Sequence, residues 1–194
     1  MTRASASAIV GLAAFAALLA APSLAEPFRL VLDPAATEIS FTLGATLHTV
    51  HGRFALVSGE LVFDPDNGAA SGEIRVDARS GDTGIDRRDR VMREEVLDSA
   101  SHPLLVLRPE LIEVARRGAD AIAGVLHGRF EVRGDSHPIA IDFEGSRQGE
   151  VAHVSAHFDV PWVAWGLPNP GNFLLRVDAT LAVAVSSRGT LAAE

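Results

Sequence analysis

The sequence predicts one all-β domain of roughly eight antiparallel strands, a closed barrel or a sandwich, broken by one or two short helices. Three observations carry this reading. Runs in which apolar and polar residues alternate recur along the chain. Turn signals separate them: Asp64-Pro65-Asp66-Asn67-Gly68, Arg117-Gly118-Ala119-Asp120, Arg133-Gly134-Asp135-Ser136 and Gly145 through Gly149. One stretch alone, Ile85–Ser99, departs from the alternation. A chain of 194 residues without a linker or repeat is one domain, able to bury roughly 70% of its unfolded surface.

The elements follow in chain order. Arg3, the apolar run Ala8–Ala21 and the small residues of Ser23-Leu24-Ala25 have the three-part layout of a secretory signal peptide. At 14 residues the run is too short to span a bilayer comfortably. Residues 1–25 are therefore expected to be a signal peptide and 26–194 the mature domain, periplasmic or secreted from a bacterium, with no transmembrane segment. Ile74, Val76 and Ala78 oppose Glu73, Arg75, Asp77 and Arg79, as in a half-buried strand. In Ile85–Ser99, Val91, Met92, Val96 and Leu97 suit short helices, with Asp82 or Thr83 as candidate cap. His102-Pro103 restarts an extended strand, because a residue before proline is pushed out of the helical region. Leu126, Gly128, Phe130 and Val132 share one face, as do Ile139, Ile141 and Phe143. So do Ala152, Val154, Ala156, Phe158 and Val160. The last predicted strand is Phe173–Val185, apolar at every odd position.

Composition removes much chemistry. The chain has no Cys, no Tyr and no Lys; all 17 basic residues are Arg, against 25 acids, for a net charge of −8. Disulfides, thiolate nucleophiles, Cys-ligated metals, Schiff-base catalysis and the P-loop lysine are excluded. The acidic balance, without a basic run, argues against nucleic acid as a partner. No G-x-S-x-G, H-E-x-x-H or G-x-G-x-x-G occurs. Asp82-Thr83-Gly84 is a single loop, whereas an aspartic protease needs two. His48 and His51 fall on opposite faces of a strand, unless a turn joins them. His153 and His157 share a face but stand about 13 Å apart, too far for one metal ion. The sequence therefore assigns no catalytic residue, no metal ligand and no cofactor. The alternative, a metal-dependent or other small-molecule enzyme, would have to use His48, His51, His153 and His157 with carboxylates.

An ordered set of phrases completes the reading. His51-Gly52-Arg53-Phe54 precedes Gly59-Glu60-Leu61 and Phe63-Asp64-Pro65. Asp82-Thr83-Gly84 with Arg88-Asp89 then leads through Val96-Leu97-Asp98 to His102-Pro103. Gly128-Arg129-Phe130-Glu131-Val132-Arg133-Gly134 is followed by His137-Pro138-Ile139. From about Phe28 to Ser187 the chain resembles the YceI-like family of exported, lipocalin-like barrels associated with binding polyisoprenoids. Trp162–Asn172 is individual to this chain. The resemblance implies an antiparallel up-and-down barrel with the helical segment at its mouth. It implies as partner an isoprenoid, quinone-like or other amphiphilic lipid, held for transport, storage or sequestration. An apolar face would also support a homodimer.

A barrel of about eight strands either packs solid or holds one small ligand. The expected ligand wall is Phe41, Phe54, Val76, Met92, Phe130, Phe143, Phe158 and Trp162, with Met92 turned inward. Room is expected from small inward residues: Ala78, Ala140 or its neighbours, Ala152, Ala156 and Ala179. At each of these positions a filled core and a ligand wall have the same sequence.

Overall fold

The computed structural model describes residues 26–46, 48–170 and 177–193. The expected signal peptide and the Phe173–Arg176 part of the expected last strand lie outside them. Among the described residues eight strands run in sequence: β1 (Phe28–Gly44), β2 (Thr49–Phe63), β3 (Ala70–Asp82), β4 (Leu104–Arg117), β5 (Ala121–Val132), β6 (Asp135–Gln148), β7 (Val151–Val160) and β8 (Leu181–Ala193). Each pairs antiparallel with the next, and β8 returns to β1, closing the ring. This is the up-and-down barrel. Closure satisfies every edge and decides against the sandwich.

The two ends differ. At one, β2–β3, β4–β5 and β6–β7 are joined by short turns. In the first of these, the Asp64 carboxylate accepts from the Asp66 amide and the Asn67 side chain, the turn chemistry its sequence predicts. At the other end lie the long connections, 83–103 and 161–180, with two short ones, 45–48 and 133–134. There Arg133 and Gly134, both at positive φ, make a two-residue hairpin between Val132 and Asp135.

The 83–103 connection carries α1 (Asp86–Val91), which runs on as one π-helical turn, Met92–Val96. The expected cap is not used: Ile85 precedes the helix and no side chain caps it. Asp82 and Thr83 are committed elsewhere. Asp82 Oδ1 accepts from the Gly84 amide, and its Oδ2 accepts from Arg53. Thr83 is held on all three of its polar groups, by four hydrogen bonds. Its amide donates to Asp89 Oδ1 at 2.9 Å, and its hydroxyl also donates to that oxygen. Arg88 donates to Thr83 Oγ1 at 2.7 Å and to its carbonyl at 2.9 Å. Asp89 is buried. The Asp-Thr-Gly and Arg-Asp phrases thus form one clamp that pins the helix to the end of β3.

The last strand corrects the sequence reading. Among the described residues it begins at Leu181, with Val177–Thr180 outside it, and extends to Ala193. Upstream, the backbone partners are taken by other elements. The Asp178 amide donates to Gly44, the Val163 amide to Ala179, and Trp162 Nε1 to the Asp178 carbonyl. Val177 makes an isolated bridge with Ala45. The apolar period runs on across this junction because Val177, Leu181, Val183 and Val185 all face the interior.

Candidate ligand cavity

Inward residues of the strands surround a cavity of about 920 Å³ that runs the length of the barrel. Its wall is overwhelmingly apolar. Among the described residues no large side chain is completely shielded from solvent. A solid core would shield them. Here Leu30, Phe41 and Leu56 keep 6–8% exposure because one side of each faces the cavity.

All eight expected wall residues line this space: Phe41, Phe54, Val76, Met92, Phe130, Phe143, Phe158 and Trp162. They come from six strands, the π-helical turn and the loop after β7. The Phe41 and Phe54 rings lie 5.4 Å apart, and two glycines make room for them. A Cβ on Gly52 would overlap the Phe41 ring and come within 2.9 Å of the Asp82 carbonyl oxygen. One on Gly81 would stand 2.5 Å from the Met92 methyl and 2.8 Å from the Phe54 ring.

The alanine reading is right in part. Ala152 and Ala156 line the cavity, whereas Ala140 faces outward between Ile139 and Ile141. Ala78 is fully buried without reaching the cavity wall, and Ala179 lies in the exposed loop before β8. Most of the wall is branched aliphatic: Leu32, Ile39, Leu61, Leu105, Leu126 and Ile141, for example. The width of an eight-stranded ring leaves the room. Leu126 and Ile141 were legible on inward faces, but nothing in them signals a cavity rather than a core.

At the helical end, Trp162 is buried beneath its own loop. Trp165 stacks on His137 at 4.6 Å, nearly parallel, and leans on Phe130 at 5.8 Å. Ile85 is about half exposed beside the opening. Polar wall residues gather at the two ends: His48, Thr83, Arg87 and Arg88 at one, Arg117, Asp120, Arg147 and His153 at the other. Thr37 and Ser187 lie on the wall between β1 and β8, with Ser187 paired to Val154 of β7.

His51 Nδ1 lies 3.2 Å from the Thr42 hydroxyl, and His127 faces Glu113 at 3.3 Å. Among the described residues no three His, Cys, Asp or Glu side chains come together to hold a metal ion. Charge at the opening is set by hydrogen bonding. The Gly84 amide and then the Arg53 guanidinium hold the Asp82 carboxyl below its ordinary value. No helix among the described residues is long and apolar enough to cross a membrane.

Fold and cavity together define a closed eight-stranded up-and-down barrel built around one apolar chamber. The chain belongs to the family of the YceI-like domain, whose model matches residues 30–193. The polyisoprenoid-binding domain from Saccharophagus degradans implicated in plant cell wall breakdown has a similar structure. Its TM-score is 0.65 at 17% identity, covering 83% of this chain and 97% of that one. BcnA of Burkholderia cenocepacia superposes at a TM-score of 0.63 with 16% identity, over 81% of this chain and 98% of its own. The Campylobacter jejuni YceI protein follows at 0.58 and 13%, over 75% and 86%. None of the curated proteins compared matches the chain. At these identities the structures show a shared fold.

Proposed function

We propose that the protein is an exported carrier that holds an isoprenoid or similar amphiphilic lipid, of quinone or polyprenyl type, inside the barrel. The observation that carries this is the 920 Å³ cavity with its apolar wall. It lies within the range of cavities that enclose small ligands, about 300–1,000 Å³. Each CH₂ moved from water onto such a wall contributes about 0.8 kcal/mol, so a prenyl tail binds without any catalytic group. Transport, storage or sequestration needs no nucleophile, which suits a chain lacking Cys, Tyr and Lys. The similar Saccharophagus domain, described as polyisoprenoid binding, supports the ligand class. Export rests on the leader-like first 25 residues, and places the carrier in the periplasm or outside the cell.

The eight aromatic, aliphatic and Met side chains named above would contact the tail. Met92 and Trp162, at the helical end, would meet it where it enters. Organic extraction of freshly purified protein, followed by mass spectrometry, tests the reading. A prenyl lipid in near-stoichiometric amount is expected. A clean extract, together with no uptake of added prenyl lipid, would overturn it.

A further inference from the structure

The apolar wall of the chamber carries one hydroxyl pair between β1 and β8. Ser187 lies at the centre of β8, six residues from either end, or about 20 Å along the strand. It is 5% exposed, and its register partner on β1 is Thr37. The two oxygens stand 2.6 Å apart, and both residues line the cavity.

Their hydrogens can be assigned. Thr37 Oγ1 lies 2.7 Å from the Asp33 carbonyl oxygen, an approach that requires the threonine hydrogen between them. That hydrogen is then spent, so in the 2.6 Å contact Ser187 is the donor and Thr37 the acceptor. The only other acceptor shown for Ser187 is the Arg188 carbonyl at 3.4 Å, too distant to compete. Both hydrogens are used within the protein. The lone pairs left on Ser187 and Thr37 are what a ligand meets.

From this we infer that Thr37 and Ser187 form an acceptor-only recognition point. It selects, among prenyl-chain amphiphiles, those that place a hydrogen-bond donor against this pair: an alcohol, a quinol O–H or an amide N–H. A ketone, ether or oxidised quinone brings only acceptors to the same spot, loses its water there and gains no bond. The inference rests on the carrier reading above and adds the chemistry of the headgroup. It also sets the level of that group, beside Val154 on β7, where Ser187 borders a second, polar pocket with Gly145, Ser146 and His153.

The test compares geranylgeraniol with its methyl ether, two probes with one chain and different donor capacity. Competition binding on the full mature protein is read as the ratio of the two dissociation constants. The alcohol is expected to bind about tenfold tighter, the equivalent of one good hydrogen bond. Thr37→Val combined with Ser187→Ala should bring the ratio close to one while both probes still bind. Equal affinities in the unaltered protein would overturn the inference and leave the carrier reading standing. So would a preference that the double variant retains, since probe size alone would then explain it. Failure of both probes to bind would count against the carrier reading itself. The wild-type ratio stands alone if the double variant does not fold.

Discussion

Removal of the Asp89 carboxylate tests the Thr83 clamp most directly. One oxygen of this buried side chain accepts from both the amide and the hydroxyl of Thr83. Asp89→Ala deletes both bonds and strands the Thr83 amide, while the hydroxyl can turn elsewhere. A hydrogen bond to a charged group is worth about 1.5–3 kcal/mol, so with partial rescue the loss is about 3 kcal/mol. Asp89→Asn keeps an oxygen in place for both donors and gives up only the charge, at about 1 kcal/mol. Thr83→Val removes one donor to Asp89 and one acceptor for Arg88, and falls between them at about 2 kcal/mol. The assay is urea unfolding. With a slope near 2 kcal/mol/M, Asp89→Ala should lower the midpoint by about 1.5 M. The order Ala, then Val at 83, then Asn is the essential expectation. An Asp89→Ala midpoint within error of the wild type, or equal losses for Ala and Asn, would refute the clamp.

Other outcomes follow from the cavity and its rim. Ala156→Phe fills part of the chamber at a wall position facing open space, and should cut prenyl-lipid uptake at least tenfold with little loss of stability, as read by lipid-induced change in Trp162 and Trp165 fluorescence. Gly52→Ala drives a methyl group against the Phe41 ring and the Asp82 carbonyl, and should cost about 1–3 kcal/mol in thermal or urea unfolding. Asp82 supplies a pH signature. Its carboxyl is held below the ordinary 3.8, so its contribution is complete above that value and is lost as pH falls through the lower folded one. Stability measured between pH 6 and pH 3 should fall less steeply in Asp82→Asn.

Strand existence was legible because β3, β5, β6 and β7 each expose one face to water and the other to the interior, leaving a period of two. The same signal misled at the last strand. Val177 and Leu181 share an inward aspect, yet their backbones belong to different elements. Periodicity reports which way a side chain points, not which amide its neighbour bonds. Aromatic wall positions were legible for the same reason. The cavity itself was not, since a leucine facing a void and one facing another leucine are the same letter. Nor was the use of Asp89, whose partner Thr83 sits on a connection without regular geometry. Ser187 escaped notice because a serine on an inward face differs from its outward neighbour Ser186 only by register with Thr37.

Seven of the eight seams in the ring are paired at seven or more positions; β3 and β4 meet at four, Ile74–Asp77 with Leu104–Leu107. Below them Pro109 has no amide to offer, and above them the helical connection intervenes. Arg108 spans the outer side of this seam, donating to Glu73 on β3 and Glu131 on β5. A ring has no ends, and that protects a β-protein from adding copies of itself. Parting these four pairs, with the Ala69–Leu111 bridge and the Ala78–Pro103 hydrogen bond that flank them, would turn the ring into a ribbon with two long free margins, ready to accept the margins of another chain. The barrel's protection against self-assembly is therefore thinnest at one short ladder, and acid that protonates Glu73 and frees Arg108 from it would be felt there first.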